Sequence, residues 1–399
     1  FTFAPVSASK LRIQVRDLDG QQEGLPLYFR LTELEAYAPT DFIDIGRVIY
    51  VQVSSSETCT PSGIAALHDN SDKTYAAEHA INGMYYDNLE HLGYAVPESF
   101  GLKNFKNTAD IEINILRWWQ HRIFRNSGVS ADGTEIYLDT DWLTSLQSTA
   151  YSDRITWIEN AYEFIDQPGE WYLNRSESKL YYKPDGSMDG KSATLPVTEQ
   201  LLVFEGTENI TFDGVKFEDT SWLTPNEIGY NDAQSGTYAQ HNGVWGDVPG
   251  AIETHAAKNI TITNSELRNL GIGGIRIGNG SSDCAITNSA IHDISSSGIF
   301  IGNNTGHNHG YCDPGTDVTG VVVRNNYITR TGLDIFGSSA ICALYTSDTV
   351  IDHNEVCYTT YTGISLGWGW DWKNAPCSGN NTVSNNYIHD TGKTIHDGG

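Results

Sequence analysis

The sequence predicts an all-β protein whose larger part is a right-handed parallel β-helix, and three observations carry that reading. A short apolar pattern ending near an Asn returns along the C-terminal half, in 259–267, 283–291, 321–328, 349–356 and 382–388, with a looser copy at 209–217. Its marker positions Asn264, Asn288, Asn325, His353 and Asn385 are 24, 37, 28 and 32 residues apart. Each unit then carries a second apolar run, at 274–278, 298–302, 340–344 and 363–367. Finally, these repeats are rich in Thr, Ile, Val, Gly and Asn, which suit strands and turns and rule out tandem helices.

Strands of a few residues cannot bury a core alone, but stacked coils bury a continuous one. The 24-residue step fits one three-stranded coil, and longer steps fit coils with inserted loops. Leucine-rich repeats have a similar period but need a Leu framework that is absent. The recurring Asn264, Asn288, Asn325 and Asn385 predict a hydrogen-bonded side-chain ladder at one turn, broken at His353.

Three regions follow. Residues 1–39 hold two alternating apolar/polar stretches, 11–15 and 29–37, each the mark of a half-buried strand. Residues 40–200 form a β-rich region leading into the solenoid, with strands at 110–115 and 135–138. In it, 158–165 reads as strand or short helix, and 170–184 as an aromatic hairpin whose Trp171, Tyr172, Tyr181 and Tyr182 fill its core. Residues 201–399 are the β-helix, which stops in mid-coil.

A net charge of −26 disfavours nucleic acid, anionic membranes and polyanionic substrates, and leaves a neutral polysaccharide or glycan as the fitting partner. No apolar run is long enough to span a membrane. None of the six Cys forms a C-x-x-C pair, and five lie in the C-terminal third, where disulfides between neighbouring coils are expected. Six Asn-x-Ser/Thr sequons, at Asn174, Asn209, Asn259, Asn279, Asn303 and Asn380, fit a secreted or extracellular glycoprotein. The first residues already read as the inside of a domain, so the chain is expected to be a piece of a longer one. An uncapped solenoid end at Gly399 would be an edge open to self-association.

The pair of stretches in 1–39 resembles the closing strands of a discoidin-like (factor 5/8 type C) sandwich, a carbohydrate-binding accessory. The segment from Thr156 to Tyr172, with Leu180 to Pro184, Trp222, Gln240, the run Gly363 to Trp370 and Asp397-Gly398-Gly399, resembles the secreted β-helix glycoside hydrolases related to family 141. That family includes α-fucosidases and xylanases. The resemblance covers about residues 100–399. It implies that Asp397 belongs to a catalytic set whose second acid follows a coil or two later, and this sequence ends before any counterpart.

Glycoside hydrolysis needs two carboxyl groups flanking the scissile bond, and a β-helix places equivalent positions of nearby coils side by side. Asp397 is the first catalytic candidate, followed by Asp371 beside the Gly367 to Trp370 run, and by Glu253 before a coil strand. Trp368, Trp370 and Trp372 alternate along a Gly-rich segment and are candidates for stacking on sugar. His307 and His309 lie in an insertion and read as groove-lining polar residues rather than metal ligands. His292-Asp293 and His389-Asp390 recur at one coil position and read as structural. No cofactor or metal is required. Arg276 is a further substrate-binding candidate. With Arg268 it leaves open a lyase acting on uronates, and a non-catalytic glycan-binding β-helix is the other alternative.

Overall fold

A computed structural model describes residues 84–87, 91–138, 156–239, 245–302, 317–367, 378–395 and 397. The stretches at 1–39 fall outside them. The expected right-handed parallel β-helix is present as three six-stranded parallel sheets. The first sheet runs through Glu208–Asp213, Lys258–Thr263, Ala285–Thr287, Val322–Arg324, Val350–Asp352 and Thr382–Ser384. The second runs through Lys216–Thr220, Glu266–Leu270, Ala290–Ile294, Tyr327–Thr331, Glu355–Cys357 and Tyr387–His389. The third stacks Leu202–Glu205, Gly250–His255, Gly273–Ile277, Ile299–Gly302, Ile341–Leu344 and Ile364–Gly367.

Parallel register turns the sequence repeat into apolar columns. Ile252, Ile275, Ile299, Ile341 and Ile364 align in the third sheet, and Leu267, Ile291, Ile328, Val356 and Ile388 in the second. The middle of each column is buried, whereas Val383 and Ile388 of the last described coil are 45% and 42% exposed. At the first coil Phe204, Phe212 and Phe217 pack edge to face over the core.

The marker residues sit at one corner in left-handed backbone, with φ from 50° at Asn264 to 55° at Asn325, and His353 adopts the same conformation at 53°. Asn tolerates this region because its short side chain can hydrogen-bond locally. The expected ladder exists in part: Asn325 Nδ2 donates to Asn288 Oδ1 (2.7 Å), but Asn264 donates to Asp213 (2.8 Å). At the His353 break, Asn385 donates to Asp352 (3.0 Å). The continuous ladder lies one residue later and is buried. Ser289 N–H donates to Asn326 Oδ1 (3.0 Å), Asn326 Nδ2 to Asn354 Oδ1 (3.0 Å), and Asn354 Nδ2 to Asn386 Oδ1 (2.9 Å).

Before the solenoid an antiparallel sheet forms from Glu112–Arg117, Gln120–Val129, Glu135–Leu138, Trp157–Glu159 and their neighbours. The ambiguous stretch 158–165 resolves into the end of that last strand and a one-turn 3-10 helix, Tyr162–Phe164. Strands Trp171–Asn174 and Lys179–Tyr182 make the expected hairpin. Only Tyr172 of its four aromatics is fully buried, because strand alternation turns Trp171 and Tyr182 outward.

The step from the first coil to the second is the longest, 50 residues between the paired Ile210 and Ile260. Its extra length holds the short helix Thr224–Ile228 and the strands Tyr230–Gln234, Thr237–Ala239 and Trp245–Asp247. These leave the solenoid and join the antiparallel sheet, pairing Tyr230 with Ile123 and Asn231 with Arg122. The coil insertion thus ties the two parts together.

Cys284, Cys342 and Cys357 are buried free thiols, so the expected inter-coil disulfides do not form among these three. Cys59, Cys312 and Cys377 lie outside the described residues. Among the described residues no helix is long and apolar enough to cross a membrane.

The two ladders should differ in cost. Replacing Asn354 by Ala strands buried polar groups on Asn326 and Asn386 and is expected to destabilise by about 1–3 kcal/mol. Asn325→Gly keeps the left-handed backbone at an exposed site and should cost less than about 1 kcal/mol. Urea unfolding of both variants checks the difference.

Candidate active site

The antiparallel sheet has two faces. Ile113, Ile115 and Phe124 fill its own core with Tyr94, Ile111 and Leu138. The opposite face, carrying Leu116, His121 and Trp157, docks on the corner between the second and third solenoid sheets. There Leu116 and Trp157 pack with Tyr361 and Ile395, backed by Trp119 and Phe336. His121 stacks on both Trp157 and Phe336, with centroids 5.3 and 4.6 Å away, and those two rings also meet at 5.7 Å. Phe336 N–H donates to His121 Nδ1 (3.3 Å), so the ring proton is on Nε2, which donates to Asn114 Oδ1 (2.9 Å). The imidazole is held neutral as a packing piece.

Asp232 pins this joint. Its Oδ2 accepts from His121 N–H (2.9 Å) and its Oδ1 from the Tyr230 hydroxyl (3.3 Å). The carboxyl lies directly on solenoid Gly337, where an added Cβ would stand 1.8 Å from Oδ2. Burial drives its pKa up to about 7, against the opposing pull of the His121 and Tyr230 hydrogen bonds and of Arg122.

Gln234, two residues on, donates to Tyr361 Oη (2.9 Å), and Tyr361 donates to the backbone oxygen of Asp397 (3.1 Å). Tyr361 is raised in pKa by burial first, then by the nearby Asp397 and Asp232 charges. Asp397 itself is exposed. The turns 331–335 and 391–395 share the pattern Thr-Gly-x-x-Ile and the same backbone pairing to the preceding coil, so Asp397 occupies the position of Gly337 two coils later. Two coils span roughly 10 Å.

On the other side of the aromatic stack, Glu159 and Asp334 are both open to solvent. Glu159 is exposed, with protein atoms crowded around its carboxyl. That crowding is the largest cause pushing its carboxyl up to about 7; Glu112, its partner across the strand pair, is next, and Asp334 adds to it. Trp157 Nε1 donates to Glu159 (3.2 Å). At the tip of the hairpin joining Arg117 to Gln120, Trp118 is 59% exposed beside Trp119.

Glu253 and Arg276 are register partners on the outer face of the third sheet, far along the solenoid from Asp397. Buried Glu253 and half-buried Arg276 share one ionic cluster: Arg276 reaches Glu253 (2.6 Å) and Asp247 (2.7 Å), while Glu253 also meets His255 (3.1 Å) and Gln200 (2.8 Å). The structure brings these two together, but apart from Asp397. Asp371, Trp368, Trp370, Trp372, His307 and His309 lie outside the described residues.

Sequence reading missed Glu159, Asp334, Gln234, Tyr361 and Trp118. Two signals were available: adjacent Trp118 and Trp119 at a hairpin tip without turn-forming residues, and the repeated Thr-Gly-x-x-Ile turn.

Residues 250–398 match a family model described as a right-handed β-helix region. No curated protein sequence matches the chain. A solved structure described as a glycoside hydrolase superposes with a TM-score of 0.67 at 24% identity, covering 78% of this chain and 60% of that one. The chain therefore spans about three-fifths of that protein's length, and the likeness establishes the fold. An alginate lyase from Paenibacillus sp. str. FPU-7 (TM-score 0.21, 17% identity, 47% of this chain and 72% of that one) fits more loosely. So does XylC in complex with xylose (0.32, 13%, 77% and 51%). Neither carries weight here.

The raised Asp232 carboxyl makes stability depend on pH with a defined sign. Between about pH 4 and about pH 7 the folded protein keeps a proton that the unfolded chain has released, so stability falls as pH rises through that window. The loss is up to about 4 kcal/mol at ~1.36 kcal/mol per pH unit. Urea midpoints at pH 5 and pH 8 should differ in the parent protein; Asp232→Asn should shrink the difference, and Asp232→Asn with Glu159→Gln should remove most of it.

Proposed function

We propose that this protein is a secreted glycoside hydrolase acting on a neutral glycan at the corner where the antiparallel sheet meets the solenoid. The observation that carries the reading is Glu159: a solvent-exposed carboxyl with its pKa raised to about 7, bonded to Trp157 and facing Glu112 across the strand pair. A carboxylic acid with a pKa near 7 can protonate a glycosidic oxygen as the bond to the sugar breaks. The anionic partner, which activates water or attacks the anomeric carbon, comes from the open carboxylates Asp397 and Asp334. Gln234 and Tyr361 fix the backbone at Asp397, and Trp118 offers a flat face to a sugar ring. The net charge of −26 supports a neutral over an acidic glycan.

A uronate lyase is less well supported. Arg276 and Arg268 would have to neutralise the substrate carboxylate, yet Arg276 is tied to Glu253 and Asp247 and Arg268 to Glu218 (2.8 Å).

The test is hydrolysis of a panel of neutral oligosaccharides and aryl glycosides. Glu159→Gln should lower kcat by about 100-fold or more on natural leaving groups and much less on activated aryl ones. Asp397→Asn and Asp334→Asn identify the partner, the true one losing activity on both substrate types. Trp118→Ala should raise KM with kcat nearly unchanged. Glycan binding without cleavage, indifferent to Glu159→Gln, would mean a binding module instead, and unsaturated products would mean a lyase.

A further inference from the structure

We propose a transition-metal site of the zinc type on the outer face of the second solenoid sheet, formed by Glu355, Cys357 and His389. Cys357 and His389 are register partners on adjacent coils, and Glu355 precedes Cys357 by two residues, so all three side chains leave the same face. Their ligand atoms lie within 4.8 Å of one another, with His389 Nε2 at 3.5 Å from Glu355 Oε1. One thiolate, one imidazole and one carboxylate are a donor set that suits zinc and cobalt(II) and leaves a fourth position for water.

The second observation is the orientation of the histidine. His389 Nδ1 is bound to the Asp390 carboxylate (3.0 Å), and the ring stacks on Tyr387 with centroids 4.4 Å apart. Nε2 is thereby turned toward Glu355 and Cys357, where it is shielded from solvent and has no hydrogen-bond partner. A carboxylate behind a histidine is the outer-shell arrangement of metal-binding imidazoles. Lys393 neutralises Asp390 from the far side (2.6 Å).

An internal comparison sharpens the point. His292-Asp293 occupies the same coil position three coils earlier, and there the expected structural role holds. Arg330 binds Asp293 (2.5 Å), Arg268 stands 3.7 Å from Glu266, and the register neighbours of His292 are Arg268 and Thr329 rather than a thiol. Cations fill that site. At His389 the corresponding neighbour is Cys357, a buried thiol 3.5 Å from Thr329 Oγ1 and 3.8 Å from Tyr327 Oη. On binding, the Cys357 thiol releases its proton to solvent and the metal–sulfur bond forms in its place.

The experiment is a cobalt(II) titration of the untagged, reduced full chain, followed by absorption. One equivalent should bind, with a thiolate-to-cobalt band in the near ultraviolet that zinc displaces. Cys357→Ser should abolish the band, and Asp390→Asn should weaken binding by about 10-fold or more. Glu355→Gln, at an exposed position, tests the site without threatening the fold. The proposal is overturned if the chain takes up no cobalt at micromolar concentration, if it binds without a thiolate band, or if the band survives Cys357→Ser. It is equally overturned if Glu355→Gln and Asp390→Asn, with unchanged circular dichroism, both bind like the parent.

Discussion

A carboxyl group pressed against bare backbone joins the two halves of this protein. Asp232 reaches out of a coil insertion, takes the His121 N–H of the antiparallel sheet, and rests on Gly337 of the solenoid. Glycine is needed there for space, since a side chain at 337 would occupy the volume of the carboxylate. Burial of this charge-bearing group is unfavourable, which is why its proton is held to about pH 7. The joint persists because the surrounding aromatic packing of Trp157, His121 and Phe336 fixes it on both sides.

The proposed function depends on the position of that joint. A parallel β-helix offers long regular faces and little concavity, so a depression must be built by something laid against it. The antiparallel sheet is laid against the solenoid here. It brings Glu159 and Trp118 to a solenoid corner that already carries Asp334 and, two coils on, Asp397. Crowding by surrounding protein is also what raises the Glu159 carboxyl, so the proposed acid depends on this packing.

The solenoid was legible because its order is periodic: apolar columns and left-handed corners recur with each coil, and a repeat in sequence becomes a repeat in space. Even so, the ladder was read one residue early. In Asn325-Asn326 the first residue makes the corner and the second enters the core, and only the buried member has its hydrogen bonds dictated by the fold. The corner site was barely legible. Glu159 and Trp118 are brought to it by antiparallel pairing between segments a hundred residues apart, such as Ile123 with Tyr230, which leaves no period in the sequence. Asp397 was proposed from a motif, whereas Gln234 and Tyr361 that hold its backbone carry none. Glu253 was read as an acid just before a coil strand, whereas it lies within one, and its register partner Arg276 could be placed only once the coils were aligned.

The most direct test of this arrangement is a double-mutant cycle on the joint, reading unfolding free energy at pH 7 for Gly337→Ala, Asp232→Ala and the pair. Each single change should destabilise, and Gly337→Ala should cost far less once the carboxyl is gone, giving a coupling of about 2 kcal/mol or more. Costs that simply add would mean that Asp232 and Gly337 do not meet, and that the sheet does not sit on the solenoid corner where the acid and its partners are placed.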